Sequence, residues 1–256
     1  MAFETKTSRR SFIQKIAVAG AGSIAANNFL SAMPIDSDLR NDKGKNVVIL
    51  FQGDSITDGN RSRNEDWNHV MGHGYAYLLA SQLGYQQPGK NFHFYNRGVS
   101  GNKITDLAAR WQQDTIDLKP DVLSILIGVN DVNSMFAGQE PVKAEKFEEV
   151  YRSILSQTKE KLPEVQLVIC EPFLFPIKKV KEAWVPEMKN RQVIVRNLAG
   201  EFNAIFVPLQ SAFDAMLTKA PATYWIWDGI HPMPAGHELI ARKWIHTVKK
   251  TLHYIA

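Results

Sequence analysis

Four short segments of this chain carry residue types that can do chemistry. The first, Gly53-Asp54-Ser55-Ile56-Thr57, sets a serine hydroxyl close to a glycine that permits a tight turn. A serine hydroxyl is a weak nucleophile until an adjacent base takes its proton. If a helix begins here, the free N–H groups of its first turn face the same place and favour developing negative charge. The competing reading is plain N-capping, since Asp and Ser are the usual cap residues. In the second segment, Asn96-Arg97-Gly98-Val99-Ser100-Gly101, Gly98 offers a backbone N–H to a substrate, or its glycines only shape a loop. The third, Gly128-Val129-Asn130-Asp131, presents a side-chain amide that can donate to an oxyanion or organise a turn. The fourth, Trp227-Asp228-Gly229-Ile230-His231-Pro232, separates a carboxylate from an imidazole by three positions. In a loop or a single turn that spacing lets Asp228 hold the His231 ring in one tautomer and stabilise its cation.

The elements between these segments explain how they could meet. Val47–Gln52, Phe92–Asn96, Val122–Gly128, Val165–Cys170 and Ala204–Pro208 are short apolar runs bounded by breakers, as expected of strands covered on both faces. Helical patterns fall between them at Gly74–Leu83, Lys103–Leu118, Lys143–Lys161 and Pro186–Phe202. A shorter one follows at Ser211–Leu217, and Ala235–Leu252 closes the chain behind Pro232 and Pro234. This alternation predicts right-handed crossovers and a five-stranded parallel sheet between helices, in one domain spanning 46–256. Ligands of such sheets bind beyond the carboxyl ends of the strands. The first three segments directly follow the first three predicted strands.

Composition narrows the classes. The 256 residues are 45% hydrophobic and 22% charged, ordinary values for a globular protein. No apolar run approaches the ~18 residues of a membrane-spanning helix. The single cysteine, Cys170, excludes an intrachain disulfide and a Cys-rich zinc site. With no His-Glu-x-x-His and no histidine cluster, no metal and no cofactor is expected. The net charge of +4 is concentrated at the start, where Lys6, Arg9, Arg10 and Lys15 face only Glu4. The remainder holds 26 basic and 25 acidic residues, with no basic stripe for a phosphate backbone, so nucleic acid is not an expected partner. A homo-oligomer is left open.

The N-terminus reads as an address. Ser8-Arg9-Arg10-Ser11-Phe12-Ile13 precedes the small apolar run Ile16–Ala26, a charged segment before a short hydrophobic one. The string resembles the twin-arginine export motif, a receptor-read signal and not an anchor. Residues 1–32 are therefore expected to be an export signal and 33–45 a linker, with the protein periplasmic or extracellular in a bacterium. The alternative is a disordered arm or a first helix.

Taken in order, Gly-Asp-Ser, Gly98, Gly-Val-Asn-Asp and Asp-Gly-Ile-His-Pro resemble the blocks of the SGNH (GDSL) hydrolases, and the resemblance runs from about Val47 to His246. It implies a flavodoxin-like three-layer α/β/α sandwich and a serine esterase. In that family's terms Ser55 is the nucleophile, His231 the general base and then acid, and Asp228 its orienting partner. The N–H groups of Ser55 and Gly98 and the Asn130 amide form the oxyanion hole, each donor worth on the order of 3–4 kcal/mol. No Gly-x-Ser-x-Gly elbow is present, which disfavours the other large serine-esterase class.

Longer strings resemble a bacterial subgroup that includes acetylxylan esterases: Gly53–Gly59, Gly72-His73-Gly74-Tyr75, Asn96–Asn102 with Asp106, Ala109-Arg110-Trp111, and Ala-Gly-His after Trp-Asp-x-x-His-Pro. The implied substrate is an acetylated carbohydrate, with Asp54 and Trp227 expected at the substrate. The stretch 58–61 and the loop 172–190 depart from the subgroup pattern. Trp184, Tyr224, Trp225 and Trp227 either stack on sugar rings or pack internally. Phe173-Leu174-Phe175-Pro176 lines an acyl pocket or is a packed loop. His73, His237 and Cys170 read as structural, and Arg61 and Arg63 as a solvated loop. The alternative functions are a lipid or thioester hydrolase of the same family and a non-catalytic carbohydrate-binding protein on this fold.

Overall fold

Strand β1 (Val48–Gly53) sends its side chains alternately into two apolar layers, Ile49 and Phe51 to one side and Leu50 to the other. The same period-two division holds in β3 (Val122–Leu126) and β4 (Gln166–Cys170), where Val168 and Cys170 face one layer and Leu167 and Ile169 the opposite one. Both faces are buried, which is why these strands read as continuous apolar runs. With β2 (His93–Asn96) and β5 (Ile205–Val207) they form a wholly parallel sheet in the order β2-β1-β3-β4-β5. These observations come from a computed structural model that describes residues 46–255 except 65, 67 and 139. The expected export signal at 1–32 and linker at 33–45 lie outside the described residues.

In chain order the helices are α1 (Ser55–Asp58), α2 (Tyr75–Gln86), α3 (Ile104–Ala109), α4 (Val129–Ser134) and α5 (Ala144–Lys161). They continue with α6 (Trp184–Glu201), α7 (Leu209–Met216), α8 (Ala222–Trp225) and α9 (Pro234–Val248). One sheet face is covered by α2, α7 and α9, the other by α3, α5 and α6, giving three layers. Trp244 of α9 is fully buried against Phe51 and donates its indole N–H to Ser124 Oγ at 3.0 Å, so it joins the helix to the sheet by packing and by a satisfied polar contact.

The predicted helix 103–118 is interrupted. It is helical over α3, then widens into a turn with i→i+5 spacing at Gln112–Ile116. The buried Gln52 of β1 donates to Asp114 O and Thr115 Oγ1, both at 2.8 Å, and thereby fixes a backbone that a regular helix would not present. In α6, Pro186 sits in the first turn, where no i−4 carbonyl is required to pair with it.

Strand order reverses direction between β1 and β3, because the chain passes from β1 to the β2 edge and back across to β3. In sheets with such a switch point, ligands bind at the carboxyl ends of the strands, where the loops leaving β1 and β3 diverge. Among the described residues, no helix is long and apolar enough to cross a membrane.

Trp244→Ala is expected to lower stability by about 3–5 kcal/mol, or roughly 10 °C in Tm for a domain of this size. Thermal denaturation followed by circular dichroism checks it; a change of under 2 °C would show that α9 does not lock onto the sheet through this residue.

Candidate active site

At the end of β1 the backbone passes so close to its neighbours that no side chain fits: a Cβ on Gly53 would lie 2.4 Å from Leu126 O. Asp54 then caps the single turn α1 by accepting from Ile56 N at 3.0 Å, and Gly59 ends the turn in the left-handed region at φ 52°. A helix of one turn cannot hold itself. It is held from outside by Asn96, whose amide donates to Thr57 O, Asp58 O and Met71 O at 2.7–3.2 Å, and by the contact of Thr57 Oγ1 with Tyr75 OH at 2.9 Å. Ser55 is thereby presented at the rim of the sheet.

Its hydroxyl is 2.9 Å from His231 Nε2, 176 positions away in the chain. His231 Nδ1 is 2.8 Å from Asp228 Oδ2, while Asp228 Oδ1 accepts from Ile230 N and His231 N at 3.0 and 2.8 Å. Lys179 Nζ also reaches Asp228 Oδ2, at 2.6 Å. Burial works to raise the Asp228 pKa, but bonds from His231 N, Lys179, the His231 ring and Ile230 N outweigh it and hold the carboxyl well below the usual range. An ionised Asp228 keeps the proton of His231 on Nδ1 and turns the Nε2 lone pair toward Ser55. Such a relay can deprotonate a serine and then stabilise the resulting imidazolium. Gly229, at φ 99°, makes the turn between carboxylate and ring possible.

The donor expectations divide. Asn130, the second residue of α4, spends one amide hydrogen on Asn102 O at 3.1 Å and keeps the other. Ser55 N has no partner among the described residues. Gly98 is corrected as an oxyanion donor: it is buried, and its N–H is taken by Asn96 Oδ1 at 2.9 Å. Its glycine identity has another cause, since a Cβ there would lie 2.3 Å from Asp58 N. In the same loop the exposed Gly101 has an N–H without a partner among the described residues. A turn closed by Asn102 N to Val99 O puts Gly101 at its third position with φ 84°, where glycine is favoured. Val99 N donates to Gly53 O and Asn102 O accepts from Asn130, so this turn is strapped between the nucleophile strand and the amide.

Asp54 is likewise corrected as a substrate contact, because its side chain caps α1 and the residue is only 1% exposed. Trp227 is 49% exposed and lies over the His231 ring, with centroids 6.4 Å apart and planes at 26°. Tyr224 is also open, whereas Trp184 and Trp225 are buried. Phe173, Leu174 and Phe175 are buried too, with both phenyl rings against Phe213, and Leu174, Phe175 and Pro176 also border a cavity of about 300 Å³ with Met188 and Gln210. Arg61 and Arg63 are not simply solvated: Arg61 Nε donates to Gly98 O at 3.0 Å and Arg63 pairs with Asp58 at 2.6 Å. His237 is buried and accepts from Tyr75 N, and burial, with His73 and His231 nearby, pulls its pKa down to about 4. Burial pushes the Cys170 thiol up to about 12, far from a reactive thiolate. No group of three or more potential metal ligands occurs among the described residues. Lys179 escaped sequence reasoning altogether, because nothing local distinguishes it from Lys178 and Lys181.

The GDSL-like Lipase/Acylhydrolase family model matches residues 51–239. An acetylxylan esterase of Geobacillus stearothermophilus is 33% identical over 212 residues, which cover 80% of this chain and 95% of that one. Its crystal structure superposes with a TM-score of 0.73 at 32% identity, covering 80% of this chain and 94% of that one. Catalytic mutants of that esterase replace a serine, an aspartate and a histidine by alanine. A protein of Parabacteroides merdae assigned as a GDSL-like lipase superposes with a TM-score of 0.76 at 44% identity, covering 79% of this chain and 95% of that one. A Bacillus subtilis (strain 168) lipoprotein is 27% identical over 132 residues, 52% of this chain and 51% of that one.

Two predictions follow from the buried floor of the site. Burial raises the carboxyl of Asp131 from 3.8 to about 7, with Ile104 N and Arg191 opposing the shift. A raised carboxyl stabilises the native state fully below its unfolded pKa near 4 and loses that contribution as the pH rises through 7. Asp131→Asn should therefore raise Tm at pH 8 relative to wild type and leave it nearly unchanged at pH 3.5, with an intermediate effect at pH 5; an equal change at pH 8 and pH 3.5 would refute the assignment. For the two glycines, Gly98→Ala should lower stability through its backbone clash by about 1–3 kcal/mol, read as a lower Tm. Gly101→Ala, with open space around it, should cost only about 1–2 kcal/mol while lowering kcat more than Gly98→Ala does relative to its stability loss. Melting curves and turnover on the same two proteins decide it.

Proposed function

The chain belongs to the GDSL-like Lipase/Acylhydrolase family and is a serine esterase, and we propose that it removes O-acetyl groups from carbohydrates through an acyl-serine intermediate. The observation that carries the mechanism is the continuous relay from Ser55 Oγ through His231 to Asp228, at 2.9 and 2.8 Å. As Ser55 Oγ bonds to the acetyl carbonyl carbon, its proton passes to His231 Nε2 and the carbonyl oxygen becomes negative. Ser55 N, Gly101 N and the free hydrogen of the Asn130 amide stabilise that charge. Collapse breaks the bond to the sugar oxygen, which takes the proton from His231 and leaves. Water, deprotonated by the same imidazole, then releases acetate and restores Ser55.

The carbohydrate assignment is supported by the similarity to the acetylxylan esterase and by Trp227, whose open ring beside His231 offers an apolar face to a sugar. We also propose an exported protein with its signal at 1–32 and linker at 33–45, supported by the paired Arg9-Arg10 ahead of the apolar run Ile16–Ala26.

Hydrolysis of 4-nitrophenyl acetate against the octanoate ester, followed by acetate release from acetylated xylan, tests the substrate. Acetate preference with release from xylan is expected; a preference for octanoate would replace the carbohydrate by a lipid. Ser55→Ala should abolish turnover and labelling by a fluorophosphonate with Tm preserved, and unlabelled wild-type protein would mean a binding module. Asn130→Ala should lower kcat by about 10²-fold with KM little changed.

A further inference from the structure

The β4–α6 loop, where this chain departs from the acetylxylan esterase subgroup, touches the acidic end of the relay. Phe175 N donates to Gly229 O at 2.9 Å, and the buried Val180 closes against Gly229, where a Cβ would lie 2.7 Å from its Cγ2. Val180 N donates to Ile177 O at 3.1 Å, so the backbone on both sides of Lys179 is anchored to the turn that carries Asp228. From that position Lys179 Nζ reaches Asp228 Oδ2 at 2.6 Å, the same oxygen that His231 Nδ1 contacts at 2.8 Å. A half-exposed ion pair is ordinarily worth little, because two flexible side chains must be ordered to make it. Here Ile230 N and His231 N fix Asp228 Oδ1, while Lys179 holds Oδ2 together with the imidazole, so the lysine completes the anchoring of the carboxylate at its second oxygen.

We infer that Lys179 is a positioning residue for the Ser55–His231–Asp228 relay, pinning the Asp228 carboxylate and, as a second cation on the oxygen that bonds His231, setting the pH at which the relay becomes active. The inference rests on the esterase mechanism proposed above. When His231 is protonated, one oxygen serves two cations that repel each other. Loss of the Lys179 charge is therefore expected to shift the acid limb of activity to higher pH. Among the described residues, the other charged or titratable groups near the relay include Asp54 beside Ser55, whose burial raises its carboxyl to about 7, Lys178, whose ammonium lies 5.5 Å from the Trp227 ring centroid, and His237, with His73 beyond it. His237 accepts from Tyr75 N and stays neutral above about pH 4.

The test compares full-length wild type, Lys179→Met and Lys179→Arg. The acid limb of kcat/KM for 4-nitrophenyl acetate is measured alongside the pH dependence of fluorophosphonate labelling of Ser55. Lys179→Met should move both limbs to higher pH by roughly 0.5 unit, lower the plateau kcat by less than tenfold and leave KM unchanged. Lys179→Arg, which keeps the charge, should restore the wild-type limb. A limb that stays in place in Lys179→Met, or that moves equally in Lys179→Arg, overturns the role and leaves a packing contact. Wild type that is neither turned over nor labelled would instead remove the esterase mechanism, and this role with it.

Discussion

Strand β1 is paired on both sides by parallel neighbours, and the proposed nucleophile and oxyanion donors depend on that pairing for their position. Parallel strands end at the same edge, so the loops after β1, β2 and β3 emerge side by side. Ser55, Gly101 and Asn130 come from those three loops, which lie far apart in sequence. The contact between Gly53 and Leu126 O shows how tightly the arrangement is drawn, since even a methyl group at position 53 would push β1 away from β3. The imidazole and its carboxylate reach the same edge from the opposite end of the chain, on the turn 227–232 that is pinched by the bridge between Ile226 and Pro232.

Rigidity at this edge comes from buried polar groups more than from regular helix. The two amide hydrogens of Asn96 are shared among three carbonyls and its oxygen accepts from Gly98 N, which together join α1, the following loop and the segment leading to the 99–102 turn. Gln52 does the same for the widened turn beyond α3. Asp58 binds Arg63, Ser100 N and Arg61 N, and these bonds outweigh its burial and keep its carboxyl low. Each of these side chains exchanges water for fixed partners, so the loops that carry function are ordered without being long.

Sheet, layers and helix order were legible in the sequence because strands buried on both faces are uninterrupted apolar runs, and Val47–Gln52 or Val165–Cys170 admit few other readings. Part of the relay was legible through spacing: Asp228 and His231 can meet if their segment is a loop or a single turn, as it is here. Two glycines in one loop were not separable in that way. Which of Gly98 and Gly101 offers a free N–H depends on where the Asn96 side chain turns, a matter of three-dimensional hydrogen bonding with no local signature. Asp54 misled for a similar reason, because a carboxylate next to a nucleophile serves equally as a cap. Lys179 was invisible because its partner is remote in sequence and its own surroundings are those of any surface lysine.

The 176-residue separation of Ser55 from His231 also has a bearing on how the molecule comes into being. A nascent chain with four strands in place would have its serine turn, its amide donor and most of one helical layer, yet no base. The base arrives on the turn just before α9, whose docking through Trp244 completes the second layer. On the proposed mechanism, hydrolytic competence therefore waits for the C-terminal part of the chain to dock.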